Sequence, residues 1–492
     1  MRKLTLALWI GLASMAAQPL RAAPVEALKA LSAKGAVISA RVVDLETGKT
    51  LAKMNPAQAL IPASVTKLYT AAAALHEWGA DWRFTTSVRY SGKIVDGMLH
   101  GELVLHGSGD PGLTNAQLWT LAQRVREAGI KRVDGPVVID ISKFGRVPCA
   151  TASRCQAMNA SRAAYNAPLS SAGFDYSNAC VWVRPAEVAG IPATVAIEPF
   201  DLPMFGLRGR IMTLPADAKA RVSVVRITSE GRNWFYIQGG VPANAPARCY
   251  YRSVSKPAMF TGQAFIAFLR QAGVKIKHYT ARIDKRPPAH TRPLVRVRGI
   301  SLAEELRGML IYSNNYMADV LALDLARTTH PAPLTLAQAG TWLTRYARRI
   351  NASSPWPGAR QGKPVLLSGS GLTPGNRVSA NDLIALLATE YQDYGDFPAF
   401  LGALTVPDQT PVPMLRGGPK SWQTQVYAKT GSLNQPISVF ALAGYVRLDN
   451  GHWGAFAVLV NGTRKRPDIG LFDSVDKVRA FILSTLRSSK GE

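Results

Sequence analysis

IPASVTKLYTAAAAL, residues 61–75, is the stretch from which the rest of this chain can be read. Pro62 suits the approach to a helix, and the run from Leu68 through Ala71–Ala74 to Leu75 is apolar and rich in helix formers. Ser64 and Lys67 are three residues apart, so their side chains share one helical face and can touch. A serine hydroxyl becomes a useful nucleophile only when a neighbouring base takes its proton. A lysine can do this once burial or a second cation lowers its pKa. A serine at a helix start also offers a backbone N–H to a developing oxyanion.

The pattern S-x-x-K is weak by itself. It recurs at Ser253–Lys256 and Ser474–Lys477, both expected to be surface polar residues. Lys256 precedes Pro257 and so sits at or before a helix start, whereas Ser474–Lys477 lies in a terminal amphipathic helix.

The chain opens with Arg2 and Lys3, an apolar run from Leu4 to Ala17, and small residues at Ala22 and Ala23. That is a secretory leader, cut after about Ala22 (Ala17 and Ala23 are the alternatives). No later stretch is long and apolar enough for a membrane helix. Export makes Cys149, Cys155, Cys180 and Cys249 candidates for disulfides. Of three pairings, Cys149 with Cys155 and Cys180 with Cys249 is preferred. Nothing points to a metal or cofactor: C-x-x-C and H-E-x-x-H are absent and the seven histidines are scattered.

At 492 residues, two or three domains are expected. The formal charge of +26 falls to about +23 without Arg2, Lys3 and Arg21. It favours an anionic partner such as a cell-wall polymer or acidic membrane surface. Nucleic acid ranks last, because no Lys/Arg block, zinc pattern or RNA-binding aromatic signature is present.

Strands are expected over 36–44 and 50–54, before the Ser64 helix. Residues 85–288 read as a strand-rich middle part with helices near 115–129 and 257–273. Its glycine-rich turn at 106–111, HGSGDP, lacks phosphate-loop spacing and reads as structural. A helical pattern runs from Ser301 and carries Ser313-Asn314-Asn315 near its centre. Strands follow at 425–431 (QVYAKTG), 438–447 and 453–460, the last two joined by a turn at Asp449-Asn450-Gly451. The amphipathic helix at 468–486 presents Leu471, Phe472, Val475, Val478, Phe481, Ile482 and Leu486 for packing on a sheet.

Ser64-x-x-Lys67, Ser313-x-Asn315 and Lys429-Thr430-Gly431 therefore occur in order, on a helix start, a helical segment and a strand. The S-x-N triplet means little alone, since Ser379-Ala380-Asn381 is another. In this order the three motifs resemble those of penicillin-binding proteins and serine β-lactamases. The chain resembles in particular the class C low-molecular-mass penicillin-binding proteins. About 250 residues separate the first two motifs, HGSGDPGL resembles the family's Gly-Gly-Asp-Pro turn, and SLAEELRGMLIYSNNYMAD resembles its S-x-N helix. SGSGLTPGN, 368–376, resembles its Asp-Gly-Ser-Gly-Leu-Ser-Arg loop, with Ser368 in place of the acid and Pro374 where an arginine is frequent.

The resemblance implies an α+β, serine β-lactamase-like transpeptidase domain, an antiparallel sheet flanked by helices, interrupted by a large β-rich insertion. Its expected parts are 23–85 and 288–492, with the insertion at 86–287 and a subdivision that nests 99–165 within 86–98 and 166–287. It implies a periplasmic D-Ala-D-Ala carboxypeptidase and D,D-endopeptidase that acts on peptidoglycan peptides and is acylated by β-lactams. In that reading Ser64 is the nucleophile and Lys67 its base. Ser313, helped by Lys429, passes a proton to the leaving amine, and Asn315 holds the peptide amide. Thr430 and Ser432 bind the terminal carboxylate beside Gly431, and the N–H groups of Ser64 and Ser432 form the oxyanion hole. The rivals are a β-lactamase or esterase of the same fold and an idle wall-binding protein.

Overall fold

The computed structural model describes residues 25–486, except 200, 201, 287, 288 and 357, so the leader lies outside the described residues. A five-stranded antiparallel sheet joins the two ends of the chain. Its order is Thr50–Met54, Val37–Asp44, Trp453–Asn461, Val439–Arg447, Val426–Leu433. Strand alternation sorts the two faces. Ala441, Ala443, Ala455 and Ala457 face the helical layer, where their small side chains admit the Ala380–Gln392 helix. Phe440, Leu442, Phe456 and Val458 face the opposite way, under helices Glu26–Ala33 and Leu471–Leu486. The terminal helix buries Val475, Val478, Phe481, Ile482 and Leu486, but Phe472 is 72 % exposed and Leu471 only partly covered. Phe472 falls beside Leu471 but off the stripe that the helix turns toward the sheet.

In the helical layer, Lys67–Trp78 packs against Leu302–Ile311, Asn315–Arg327, Leu336–Ser353 and Ala380–Gln392, with His76 and Glu77 exposed near its end. Every residue from Lys67 to Leu75 is buried. Such burial suits its apolar side chains, each large one contributing about 1.5–3 kcal/mol, and makes the buried Lys67 amine conspicuous.

The Ser301 helical run is two helices, Leu302–Ile311 and Asn315–Arg327. Ser313 breaks it at φ +54°, and Asn314 caps the second helix by accepting the Met317 N–H at 3.1 Å. Periodicity alone could not show this break, because both helices keep the same apolar phase.

The middle part holds two units. Strands Arg282–Asp284, Val137–Asp140, Leu103–His106, Thr85–Tyr90 and Arg292–Arg298 form one sheet, in that order, beneath helices Asn115–Glu127 and Pro257–Gln271. The strands from Ala160–Ser161 to Arg248–Ser253 form the other unit. The nesting therefore differs from the expected one. A cut at 98/99 would split the pairing of Lys93–Val95 with Met98–His100, and the inner unit spans about 160–253. The outer sheet extends past 287 to Arg298, which pairs with Thr85 where the chain enters. The HGSGDP turn is held by its neighbours: the Gly107 and Gly109 N–H groups donate to the Asp140 and Ser171 carbonyls at 2.9 and 2.8 Å, and the buried Asp110 accepts the Gly112 N–H at 2.8 Å.

Cys149 is bonded to Cys155 and Cys180 to Cys249, the preferred pairing. The expectation for the two other S-x-x-K serines fails. Ser253 is buried, its Oγ donating to Ser161 Oγ at 2.8 Å. Ser474 is buried with its Oγ on the Gly470 carbonyl at 3.0 Å. Small hydroxyls can be interred where a local acceptor satisfies them. Lys256 and Lys477 remain exposed.

Candidate active site

Ser64 lies on a 3-10 turn, Ala63–Thr66, that runs directly into the Lys67–Trp78 helix. Ala63 has φ +47°, a conformation that costs a non-glycine residue roughly 1–3 kcal/mol and needs support from its surroundings. The support comes from three directions. Asn461 hydrogen-bonds both backbone groups of Ile61. Asn376 donates to Thr66 Oγ1 at 3.0 Å. Gly371, at φ +77°, packs so close that a Cβ there would stand 1.8 Å from the Ala63 carbonyl oxygen.

The Lys67 amine is fully buried and has three neighbours: Ser64 Oγ at 3.1 Å, Asn315 Oδ1 at 2.7 Å and the Ser370 carbonyl at 2.7 Å. A neutral amine has two N–H groups and one lone pair. With the two N–H groups on the two closer oxygens, the lone pair is left for the Ser64 hydroxyl proton. Burial, and then the Lys429 charge, hold the Lys67 pKa well below its usual value, which favours this neutral form.

Lys429, on strand Val426–Leu433, donates to Ser313 Oγ at 3.0 Å and to the Thr430 carbonyl at 2.8 Å. Burial lowers its pKa to about 7. The backward-turned backbone of Ser313 is what brings its hydroxyl to this amine. Asn315, one residue into its helix, gives one side-chain N–H to the Tyr165 carbonyl at 3.1 Å and keeps a second for a ligand. Gly431 is required by close approach: a Cβ there would lie 2.5 Å from the Pro62 carbonyl and 3.0 Å from the Ser64 nitrogen. Thr430 is half-buried and Ser432 exposed on the same edge strand, so both hydroxyls are reachable from solvent.

The structure thus brings Ser64, Lys67, Ser313, Asn315, Lys429 and Gly431 into one cluster from three distant segments. Arg377, near the departure at Pro374, is turned onto its own loop, donating to the carbonyls of Pro374 at 2.7 Å and Asn376 at 2.8 Å. Sequence reasoning missed the Ser370 carbonyl, Asn376, Asn461 and the Tyr165 carbonyl. Two of these act through backbone oxygens, which any residue carries, so no side-chain pattern marks them.

The chain is similar to several known proteins. The family model described as D-Ala-D-Ala carboxypeptidase 3 (S13) matches residues 22–477. A D-alanyl-D-alanine carboxypeptidase of Actinomadura sp. (strain R39) is 28 % identical over 481 residues, covering 90 % of this chain and 81 % of that protein. The D-alanyl-D-alanine carboxypeptidase DacB of Haemophilus influenzae is 25 % identical over 439 residues, covering 85 % and 84 %. The crystal structure of penicillin binding protein 4 from H. influenzae shares the fold at TM-score 0.72 and 21 % identity, covering 94 % of this chain and 98 % of that one. It has also been solved complexed with a β-lactam, at TM-score 0.68 and 19 % identity, covering 93 % and 98 %.

Proposed function

The chain belongs to the D-Ala-D-Ala carboxypeptidase 3 (S13) family and is a serine-type D-Ala-D-Ala carboxypeptidase; we propose that it works through an acyl-enzyme on Ser64 and also cuts D,D-cross-links. The observation that carries this is the buried Lys67 amine, held at 2.7 Å by both Asn315 Oδ1 and the Ser370 carbonyl with Ser64 Oγ at 3.1 Å.

As Ser64 Oγ bonds to the carbonyl carbon of the penultimate D-alanine, its proton passes to Lys67 Nζ. The N–H groups of Ser64 and Ser432 receive the oxyanion. Collapse breaks the C–N bond, and the leaving amine takes a proton from Ser313 Oγ, replenished by Lys429 across 3.0 Å. The substrate's terminal carboxylate lies against Thr430 and Ser432, with the Lys429 charge behind them, and the remaining Asn315 N–H takes a peptide carbonyl. Water then attacks the ester carbonyl and gives a proton through Ser313 to Lys429, while the Oγ–C bond breaks and Ser64 Oγ takes back the proton held by Lys67. Carboxypeptidase and endopeptidase action differ only in whether the leaving amine belongs to free D-alanine or to a neighbouring stem peptide. β-Lactams acylate the same serine.

Among the described residues, the catalytic unit comprises about 25–84 and 299–486. The leader directs it to the periplasm, and among the described residues no helix is long and apolar enough to cross a membrane. The strongly basic chain is drawn to anionic wall or membrane surfaces. Digestion of purified pentapeptides and cross-linked muropeptide dimers, with Ser64→Ala as control, tests this reading. Release of D-alanine and of monomers supports it; turnover of penicillin with neither muropeptide cut would favour a β-lactamase.

A further inference from the structure

Besides the Tyr165 carbonyl on Asn315, the insertion reaches the catalytic lysine through a buried arginine. Arg154, on the short helix Ala152–Asn159, is 2 % exposed, and its Nη2 lies 2.7 Å from Asp319 Oδ2, itself 1 % exposed. Asp319 stands one turn beyond Asn315 on the same helix, so the two project from one face. Its other oxygen accepts the Ser370 N–H at 2.8 Å, and the carbonyl of that same Ser370 accepts from Lys67 Nζ at 2.7 Å. An unbroken polar path therefore runs from Arg154 through Asp319 and Ser370 to Lys67. The helix that begins it is tied down by the Cys149–Cys155 bond, next to Arg154, and by Thr151, whose Oγ1 accepts the Arg154 N–H at 3.2 Å.

We propose that Arg154 is a positioning residue for acylation: supplied by the insertion, it fixes Asp319 against Ser370 and cancels the negative charge that Asp319 would otherwise turn on Lys67. The inference rests on Lys67 being the base for Ser64. A carboxylate this near a buried amine favours the ammonium form, which has no lone pair for the serine proton. Three charged groups face Lys67: Lys429 from the edge strand, Asp319 from the Asn315–Arg327 helix, and Arg154 from the insertion. The 366–376 loop has no ionisable side chain. Asp319 pulls the Lys67 pKa up, while Lys429 and Arg154 push it down. Without Arg154, only the Lys429 charge is left to offset the carboxylate. With it, Asp319 can organise the Ser370 backbone without protonating the base.

The test is the pH profile of the acylation rate constant with a fluorescent penicillin, with final labelling counting competent molecules. In Arg154→Gln the acidic limb should move up by about one unit, slowing acylation roughly tenfold at pH values below the limb. Asp319→Asn should move the limb down. The double variant Arg154→Gln/Asp319→Asn, which buries no unpaired charge, should return it close to wild type, and Arg154→Lys should hold it there. Arg154 also lines a cavity of about 540 Å³, so millimolar guanidinium should restore acylation of Arg154→Gly saturably. A wild-type limb in Arg154→Gln, with full final labelling, overturns the proposal. Should Arg154→Gln fail to fold, a limb unmoved in Asp319→Asn, or Arg154→Gly labelled in full but indifferent to guanidinium, overturns it equally. Lys67→Ala separates the two readings: if it keeps the wild-type profile, the base assignment itself is wrong. If it is inert while Arg154→Gln is normal, only the role of Arg154 falls.

Discussion

Asn461, the last residue of strand Trp453–Asn461, holds both backbone polar groups of Ile61: its Oδ1 accepts the Ile61 N–H at 2.9 Å and its Nδ2 donates to the Ile61 carbonyl at 3.1 Å. This clamp is buried, spans 400 positions of sequence, and sits three residues before Ser64. The end of the chain thereby sets the path of the turn that presents Ser64.

Asn461→Ala should leave a buried N–H and a buried C=O unpaired, each costing about 1–3 kcal/mol. Urea unfolding should show the lost stability. Penicillin acylation should slow as well, because the Ala63 turn is strained and relaxes when its support is removed. An unchanged midpoint with unchanged acylation would mean that the clamp is dispensable.

Gly431→Ala places a methyl 2.5 Å from the Pro62 carbonyl, so the edge strand must retreat from the Ser64 turn. A displacement approaching 1 Å should cost on the order of 100-fold in acylation rate. Thermal stability should change far less, since the strand keeps its partner Val439–Arg447. Stopped-flow acylation and a melting curve, measured together, separate the two effects.

Much of this was legible in the chain, and the reason differs by element. The strands 439–447 and 453–461 announce themselves by unbroken apolar runs, and the helix after Ser64 by its alanines. The three motifs stand out because each carries a hydroxyl, amide or amine side chain on a matching element, and the fold brings them together. The segment of Ser313 is legible in the sequence but its backbone is not, because a one-residue reversal at φ +54° leaves the flanking periodicity intact. The outer sheet of the insertion is hard to read because parallel pairings such as Leu103–His106 with Val137–Asp140 leave no hairpin turn in the sequence, whereas the pairing of Lys93–Val95 with Met98–His100 is marked by its Asp96-Gly97 turn. Arg154 looked like one of many arginines, since nothing local marks the one that meets Asp319.

The two lysines predict a bell-shaped pH dependence. Acylation should rise as pH climbs through the depressed Lys67 pKa, where the base becomes neutral. With peptides that carry a terminal carboxylate, kcat/KM should fall again as Lys429 loses its proton near its value of about 7. A bound carboxylate stabilises the ammonium, so the alkaline limb of kcat should lie at higher pH than that of kcat/KM. Lys429→Ala should remove this alkaline limb and harm carboxylate-bearing substrates more than uncharged esters. Equal losses of kcat/KM on both would place its role elsewhere.

The account stands most directly on Ser64 as the residue that becomes acylated. Intact-protein mass spectrometry after brief exposure to penicillin should show one adduct on the wild-type chain, and peptide mapping should place it on the segment around IPASVTK, 61–67. Ser64→Ala should show none. An adduct of the same mass on Ser64→Ala, or a wild-type adduct on any other serine, would contradict the account.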